Sequence, residues 1–424
     1  MKLYKVIPAV AFILVSCISV AQTQNVSKEL KLDFKSYMEL VKTRNLDYAA
    51  QKYSVNISEA AIEVAKIFHD PSLSFDLIEN RQGNSQSERD YSIELGKTFE
   101  LGGKRKARIN LAKSNSQLAK ALLDDYFRKL QAEAALAYLE ALKQTSLLKV
   151  KTDSWKVMRE LAEADSMRLK LGSIKEIDAV QSKLEAGIQF NDLTEAESDW
   201  KNAASQLILM TGTSGNDTLW IPDGTLHIGN RGFLLQNLIT TAQNNRADLL
   251  AALCNKDVSQ KTLDLARKER NIDLDMKVGF GNNLYTIPGV VSENAFSGGI
   301  AIPLKFSNVY KGEIKMAEFQ ILQADDQYRQ AELQIKTEIM QAFQRYNAFC
   351  KQVDSFDNGL LEKAQRVRTG KIYSYSRGET SLLEVLNAQR VYNDTQSDYI
   401  QTLYNRAAAL VELEKAAGIW DINF

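Results

Sequence analysis

The sequence predicts a mainly α-helical chain with a small β part, built from one unit used twice. Three observations carry this. The block Gly378-Glu-Thr-Ser-Leu-Leu-Glu-Val-Leu-Asn-Ala-Gln-Arg390 has a counterpart 206 positions earlier at Gly172-Ser-Ile-Lys-Glu-Ile-Asp-Ala-Val-Gln-Ser-Lys-Leu184. The same offset pairs Gly212 with Gly418, and an offset of 201 pairs Asp47-Tyr48 with Asp248-Leu249 and Pro71-Ser-Leu-Ser-Phe75 with Ile272-Asp-Leu-Asp-Met276. Second, the five prolines (Pro8, Pro71, Pro222, Pro288, Pro303) leave 72–221 and everything after 303 free of proline. Such stretches, rich in Ala, Leu, Glu, Lys and Gln, read as helix. Third, each half holds two short runs whose apolar period is two.

The elements follow in order. Lys2 and Lys5 precede an apolar run from Val6 to Val15, the pattern of a bacterial secretory leader and too short to span a bilayer as a helix. Two processing readings stand side by side: cleavage after Ser19-Val-Ala21, or a lipoprotein box Leu14-Val-Ser-Cys17 that leaves Cys17 acylated. The leader is therefore 1–21, or 1–16 if the chain is lipidated. Helical spacing then runs from Asp33 to His69 until Pro71 stops it. Leu73, Phe75 and Leu77 alternate with Ser72, Ser74 and Asp76. Beyond a polar tip, Tyr91, Ile93, Leu95 and Phe99 alternate with Ser92, Glu94 and Gly96. The hairpin is predicted at about 72–80 and 90–99, and its counterpart at about 272–283 and 294–306. Strands of about ten residues with one apolar and one polar face fit a transmembrane β-barrel; a half-buried sheet on a soluble core is the alternative. Tyr91, Phe280 and Phe296 fall near the loop ends and Phe99 and Phe306 near the helix ends, as two interfacial girdles do.

Each hairpin feeds a very long helix. Lys104 to Leu171 contains neither proline nor glycine, and its counterpart runs from about Lys311 to Ser376. Each turns at a glycine, Gly172 or Gly378, into a return helix ending at Gly212 or Gly418. Positions 382, 385, 389, 392, 396, 399, 403, 406, 410, 413 and 417 keep a 3-4 spacing, a coiled-coil seam made wet by Gln389, Gln396, Tyr392 and Tyr399. The boundaries are a first unit 22–212, a linking segment 213–232, a second unit 233–418 and a tail 419–424. Four strands cannot close a barrel, and an open edge is not tolerated in lipid. Closure therefore needs several copies, and three give twelve strands.

No catalytic constellation is present in the sequence. The 53 basic and 53 acidic residues cancel, so charge gives no argument for nucleic acid. Gly102-Gly-Lys104 resembles the end of a phosphate loop but has Thr98 where Gly is needed and Arg105 where Ser or Thr is needed. His69 and His227 are far apart, so no metal site and no cofactor is predicted. Cys254 and Cys350 lie on predicted helices in different halves and read as free thiols. Lys104, Arg105, Lys106 and Arg108 open a helix, where the dipole disfavours cations. They read either as a solvated helix end or as cations meeting the phosphates of the inner leaflet.

At these residues the chain resembles the outer membrane efflux proteins, the TolC-like exit ducts. Phe99-Glu-Leu-Gly-Gly-Lys-Arg105, Ile302-Pro-Leu and Lys311-Gly-Glu-Ile314 are most similar to the heavy-metal-cation branch. The resemblance implies a non-enzymatic homotrimer in the bacterial outer membrane, with a 12-stranded β-barrel continued by a trimeric α-barrel into the periplasm. It also implies a periplasmic adaptor and an inner-membrane resistance-nodulation-division pump, with adaptor docking at Gly172, Ser173, Gly378 and Glu379. The family places gate acids six and nine residues after the tip glycine; here those positions are Glu384 and Asn387, and Asp178 and Gln181, so Asn387 departs from the pattern. A short tail implies little C-terminal contribution to an equatorial belt, which falls to 213–232. The competing class is a periplasmic coiled-coil adaptor or scaffold.

Overall fold

The computed structural model describes residues 28–82, 86–213, 218–285, 291, 293–305 and 309–424. The leader and Cys17 lie outside them. The first unit comprises β1 (Lys28–Asp33), α1 (Phe34–Arg44), α2 (Leu46–Lys66), β2 (Ser72–Gln82), β3 (Gln86–Glu100), α3 (Lys104–Lys170) and α4 (Glu176–Thr211). After β4 (Thr218–Asp223), the second comprises α5 (Leu235–Asn245), α6 (Ala247–Glu269), β5 (Asp273–Tyr285), β6 (Glu293–Ala301), α7 (Val309–Ser355), α8 (Leu361–Ser376) and α9 (Leu382–Ala417).

The single helix expected over 33–69 is two, and it ends at Lys66, ahead of Pro71. Asn45 adopts φ −59°, ψ 124°, which no helix continues; its Oδ1 accepts from the Tyr48 amide at 2.8 Å and its Nδ2 donates to the Met210 carbonyl at 3.0 Å. The second unit repeats this break with other chemistry. Arg246 has φ −72°, ψ 123° and donates to the Ala416 carbonyl at 3.1 Å, while binding Asp248 and Glu338. In both units a polar side chain at the break thus ties the first helices to the last turn of the return helix, which satisfies a terminal carbonyl.

Two strands went unforeseen. β1 and β4 pair in parallel, and the Tyr138 hydroxyl, fully buried, lies 2.8 Å from the Leu32 carbonyl and 2.9 Å from that of Asp223. The tail also does more than expected: the Phe424 ring meets Phe34 edge-on at 4.8 Å, Ile422 is buried, and Asp421 pairs with Arg231. The linking segment, the tail and β1 therefore converge on one core with Tyr37, Leu139, Leu207, Ile339, Tyr346 and Leu413. Ala132, Ala134, Ala135 and Ala141 on α3 let the helices approach closely there.

The helices have a definite lateral order. α3 packs on α2 and α6 toward the sheet, and α6 on α7; toward the tips α3 packs on α4 and α9, and α9 on α8. The order is thus α2–α3–α6–α7 at one end and α4–α3–α9–α8 at the other. The sheet order is β2-β3-β5-β6, antiparallel throughout. At every level one open flank belongs to the first unit (β2, α2, α4) and the other to the second (β6, α7, α8).

Register makes the sheet two-faced. Phe75, Ile93, Phe280 and Phe296 form one row across all four strands, and Leu73, Leu95 and Val278 the next. All of these are exposed, Phe296 by 87%. The opposite face carries Ser74, Glu94, Gly279 and Ser297 in one row, and Ser72, Gly96, Lys277 and Gly299 in another. Phe280 and Phe296 stand one same-face row inside Tyr91, not at its level. β6 ends at Ala301 instead of 306, because Pro303 has no N–H for the ladder. Ile302 and Leu304 lie past the strand, and Phe306 is outside the described residues. No helix among the described residues is long and apolar enough to cross a membrane.

Candidate functional site

The chain's two turns at the far end of the helices are the same motif. Gly172 (φ 68°) and Gly378 (φ 76°) take the left-handed conformation that follows a helix end. The Gly172 amide donates to the Leu169 carbonyl and that of Ser173 to Arg168, each at 2.9 Å. The Gly378 amide donates to Tyr375 (3.0 Å) and that of Glu379 to Ser374 (2.9 Å). Nothing stands within 4 Å of a Cβ at either glycine, so backbone conformation, not space, requires glycine. Leu171 and Glu379 are exposed at these tips.

Of the candidate gate residues, Glu384 and Asp178 occupy the third position of α9 and α4. Ser381 caps α9, its Oγ accepting from the Glu384 amide at 3.4 Å. The Glu384 carboxylate is not bare. Lys371 on α8 reaches it at 2.5 Å, and that hydrogen bond, with one from Thr380, holds its carboxyl below the usual carboxylate range. Asn387 is exposed, and Asp178 and Gln181 are half-buried. Among the described residues no hydrogen bond or ion pair joins these four.

The two helix hairpins are joined instead by residues the sequence reading passed over. Asp165 on α3 is fully buried, and the Tyr375 hydroxyl on α8 donates to its Oδ1 at 3.0 Å. Arg168 donates to the Ser376 carbonyl at 2.5 Å, and its guanidinium lies 5.2 Å from the Tyr375 ring centre. Burial pushes the Asp165 carboxyl up, against the opposing pull of Tyr375, Ser182 and Arg168. Its Oδ2 has no hydrogen-bond partner among the described residues, and the group lines a cavity of about 310 Å³ with Leu161 and Ile372. The signal was present: Met158, Ala162 and Asp165 share one buried helical stripe, and an acid on such a stripe calls for a partner.

At the other end, three of the four expected lipid-interface cations, Lys104, Arg105 and Arg108, are occupied inside the chain. Lys104 is buried and pairs with Asp273 at 2.5 Å and with Glu269 at 4.0 Å. Arg108 pairs with Glu100, which also lies 3.4 Å from the His69 Nε2. Arg105 donates to the Lys66 carbonyl at 2.7 Å, capping α2, and lies over the Phe68 ring. Phosphate contact by Lys104 is thereby corrected: its buried charge is offset by the half-buried carboxylates of Asp273 and Glu269 where strand becomes helix. Lys106 is exposed. The Gly102–Gly103 turn is explained too, since a Cβ on Gly102 would collide with Asn271, whose Nδ2 donates to the Gly102 carbonyl. Cys254 and Cys350 are free and half-buried.

Known proteins match this architecture along most of its length. The family model described as "Outer membrane efflux protein" matches residues 38–213 and 238–419. The cobalt-zinc-cadmium resistance protein CzcC of Cupriavidus metallidurans is 22% identical over 391 residues, 91% of this chain and 90% of that one. Among solved structures, the Campylobacter jejuni CmeC outer membrane channel matches with a TM-score of 0.75 at 15% identity, over 91% of this chain and 85% of that one. CusC matches with a TM-score of 0.73 at 18% identity, over 91% and 92%.

Proposed function

The chain belongs to the outer membrane efflux protein family, and from that premise we propose that three copies close into an exit duct, a twelve-stranded barrel in the outer membrane continued by a helical tunnel through the periplasm. One observation carries the trimer. Four strands end in two open edges, and their apolar face is exposed in a single copy. Joining β6 of one copy to β2 of the next removes every edge only when the ring closes. The polar face, largely Ser and Gly with Asp76, Glu94, Asp275 and Lys277, then lines water. Conduction through such a lining is passive, and the family and the fold are those of channel proteins.

The tips at Gly172, Ser173, Gly378 and Glu379 receive the periplasmic adaptor of a tripartite system whose inner-membrane member is a resistance-nodulation-division pump. The tunnel narrows there. Asp165–Tyr375 and Arg168–Ser376 hold the two hairpins of each copy together, and Glu384 forms a ring of three carboxylates balanced by three Lys371 side chains. We take the cargo to be divalent metal cations, on the strength of the relative named for cobalt, zinc and cadmium resistance. The test has two parts. Purified protein in mild detergent should have three times the chain mass, and a membrane-inserted monomer ends the barrel reading. A strain lacking the gene should become sensitive to cobalt, zinc or cadmium; sensitivity to dyes alone would move the cargo to organic compounds.

A further inference from the structure

The two open flanks near the tips differ in charge. α8 carries Lys363, Arg366, Arg368 and Lys371 against a single acid, Glu362, whereas α4 carries seven acids against Lys183 and Lys201. Within one chain neither flank is covered: α8 packs on α9, and α4 on α3 with β4 and α1 at its far end. The outward face of α8 is a groove of about 470 Å³ lined by Lys363, Arg366, Val367, Gly370, Lys371 and Ser374. Gly370 forms its notch, with nothing within 4 Å of where a Cβ would stand. The outward face of α4 is an apolar stripe at helical spacing, Ile177, Val180, Leu184 and Ile188, exposed by 65%, 53%, 64% and 45%.

The levels agree. Arg168, four residues before Gly172, binds the carbonyl of Ser376, two residues before Gly378, so both tips stand at one height. Gly370 precedes its tip glycine by eight residues and Val180 follows its own by eight, placing both about 12 Å from the tip. By the same count Arg366 and Leu184 stand twelve residues from their tips, and Glu185 thirteen. We propose, on the reading that copies close into a ring, that α8 of each copy seats against α4 of the next, Val180 entering the notch at Gly370 while Lys363 and Arg366 face Glu185.

The charge match supports this occupant. Lys363 and Arg366 are exposed and form no ion pair among the described residues. Among the described residues Glu185 accepts only from Gln189 of its own helix, at 3.1 Å. Lys183 lies on the opposite flank of the apolar stripe, about 200° around the helix from Glu185. Toward the sheet the seam has another character. There α2 offers Leu46, Tyr53, Ile57 and Val64, and α7 offers Met316, Phe319, Leu322 and Leu333, all exposed and apolar. Salt therefore acts on the tip half of the seam before the sheet half, since it screens paired charges and strengthens apolar burial.

The test is disulfide trapping of Val180→Cys with Gly370→Cys in full-length protein carrying Cys254→Ser and Cys350→Ser. Mild oxidation of the trimer should give covalent dimers and trimers on a non-reducing gel. Trimers of normal mass without cross-links would overturn the seam while leaving the ring intact; a chain that never trimerises would overturn the ring itself. Arg366→Glu should slow cross-linking several-fold at low salt, and Glu185→Arg added to it should restore the rate. A double variant as slow as the single would remove the charge pairing.

Discussion

Tyr375→Phe isolates the link between the two hairpins. The ring stays, packed against Leu161, Ile372 and Leu386 and beneath the Arg168 guanidinium, so only the hydroxyl is lost. That hydroxyl is the donor to Asp165 at 3.0 Å, and Asp165 is fully buried with its second oxygen already unpartnered. A hydrogen bond to a charged group contributes about 1.5–3 kcal/mol, and its loss leaves the carboxyl with the weaker influence of Ser182 and of Arg168, 3.8 Å away. Taking about 2 kcal/mol per copy, the ratio of joined to separated hairpins falls about 30-fold in each chain. In planar bilayers the purified trimer should show a clearly raised open probability. The trimer's mass should not change, because the substitution lies between hairpins of one copy. An open probability equal to wild type, at unchanged mass, would refute the idea that this contact holds the tips closed.

The proposed ring at the tips gives a prediction of opposite signs: Lys371→Met would uncover three Glu384 carboxylates and should strengthen block by divalent cations, whereas Glu384→Gln would leave three lysines and should weaken both block and cation preference. Equal block in the two variants would remove the pair from the conduction path. Val278→Arg sets a cation in the exposed apolar row with Leu73 and Leu95, at a cost of about 2–4 kcal/mol per copy if that row meets mid-bilayer lipid. It should abolish the trimer band on unheated gels, while Lys277→Ser on the polar face should leave it. The tail should be pH-sensitive. Burial pushes Glu414 up to about 8, so the docked tail holds that proton more tightly than the released one, and docking weakens as pH rises from about 4.5 toward 8. Arg231 holds Asp421 down to about 2; its contribution is complete above about 3.8 and is lost as pH falls through about 2. Hydrogen exchange at residues 419–424, corrected for intrinsic rates, should show protection greatest near pH 4 and falling toward pH 8, and flat protection from 4 to 8 would contradict it.

What the sequence disclosed and what it hid divide along physical lines. Periodic burial is written into local spacing, so the seam from Leu382 to Ala417 was legible: nine of its eleven positions are buried, with only Gln396 and Tyr399 half-exposed. The tip glycines were legible because a left-handed residue at a helix end asks for glycine. The β1–β4 pair was not, because six residues such as Lys28–Asp33 alternate too briefly to stand out, and parallel pairing across some 190 residues leaves no local mark. Charges were the hardest to assign. Lys104, Arg105 and Arg108 look in sequence like a free basic cluster, yet their partners Asp273, the Lys66 carbonyl and Glu100 are brought in by the fold. The same holds for Glu384, whose charge cannot be weighed until Lys371 is placed beside it.

The two units have not stayed equivalent, and their difference falls in the long helices. α3 runs 67 residues without interruption from the sheet to its tip. The equivalent helix of the second unit breaks at Phe356–Leu360, where Asn358 (ψ 23°) and Gly359 (φ 92°) leave helical geometry and separate α7 from α8. Nothing lies within 4 Å of a Cβ at Gly359, so glycine is required there by conformation alone, as at the tips. The break is held from the side: the Tyr399 hydroxyl on α9 donates to Asp357 at 2.8 Å, and its ring packs on Phe356 at 5.4 Å. A continuous helix resists bending along its whole length, whereas one left-handed residue concentrates any bend at a point. If the tips move, a bend at this point would carry α8 and the lower part of α9 against an uninterrupted α3. The contacts that tie this hairpin to α3, Asp165–Tyr375 and Arg168–Ser376, sit at its tip end, about 25 Å from the break by helical rise, where a bond of given strength would oppose such a bend with the longest lever.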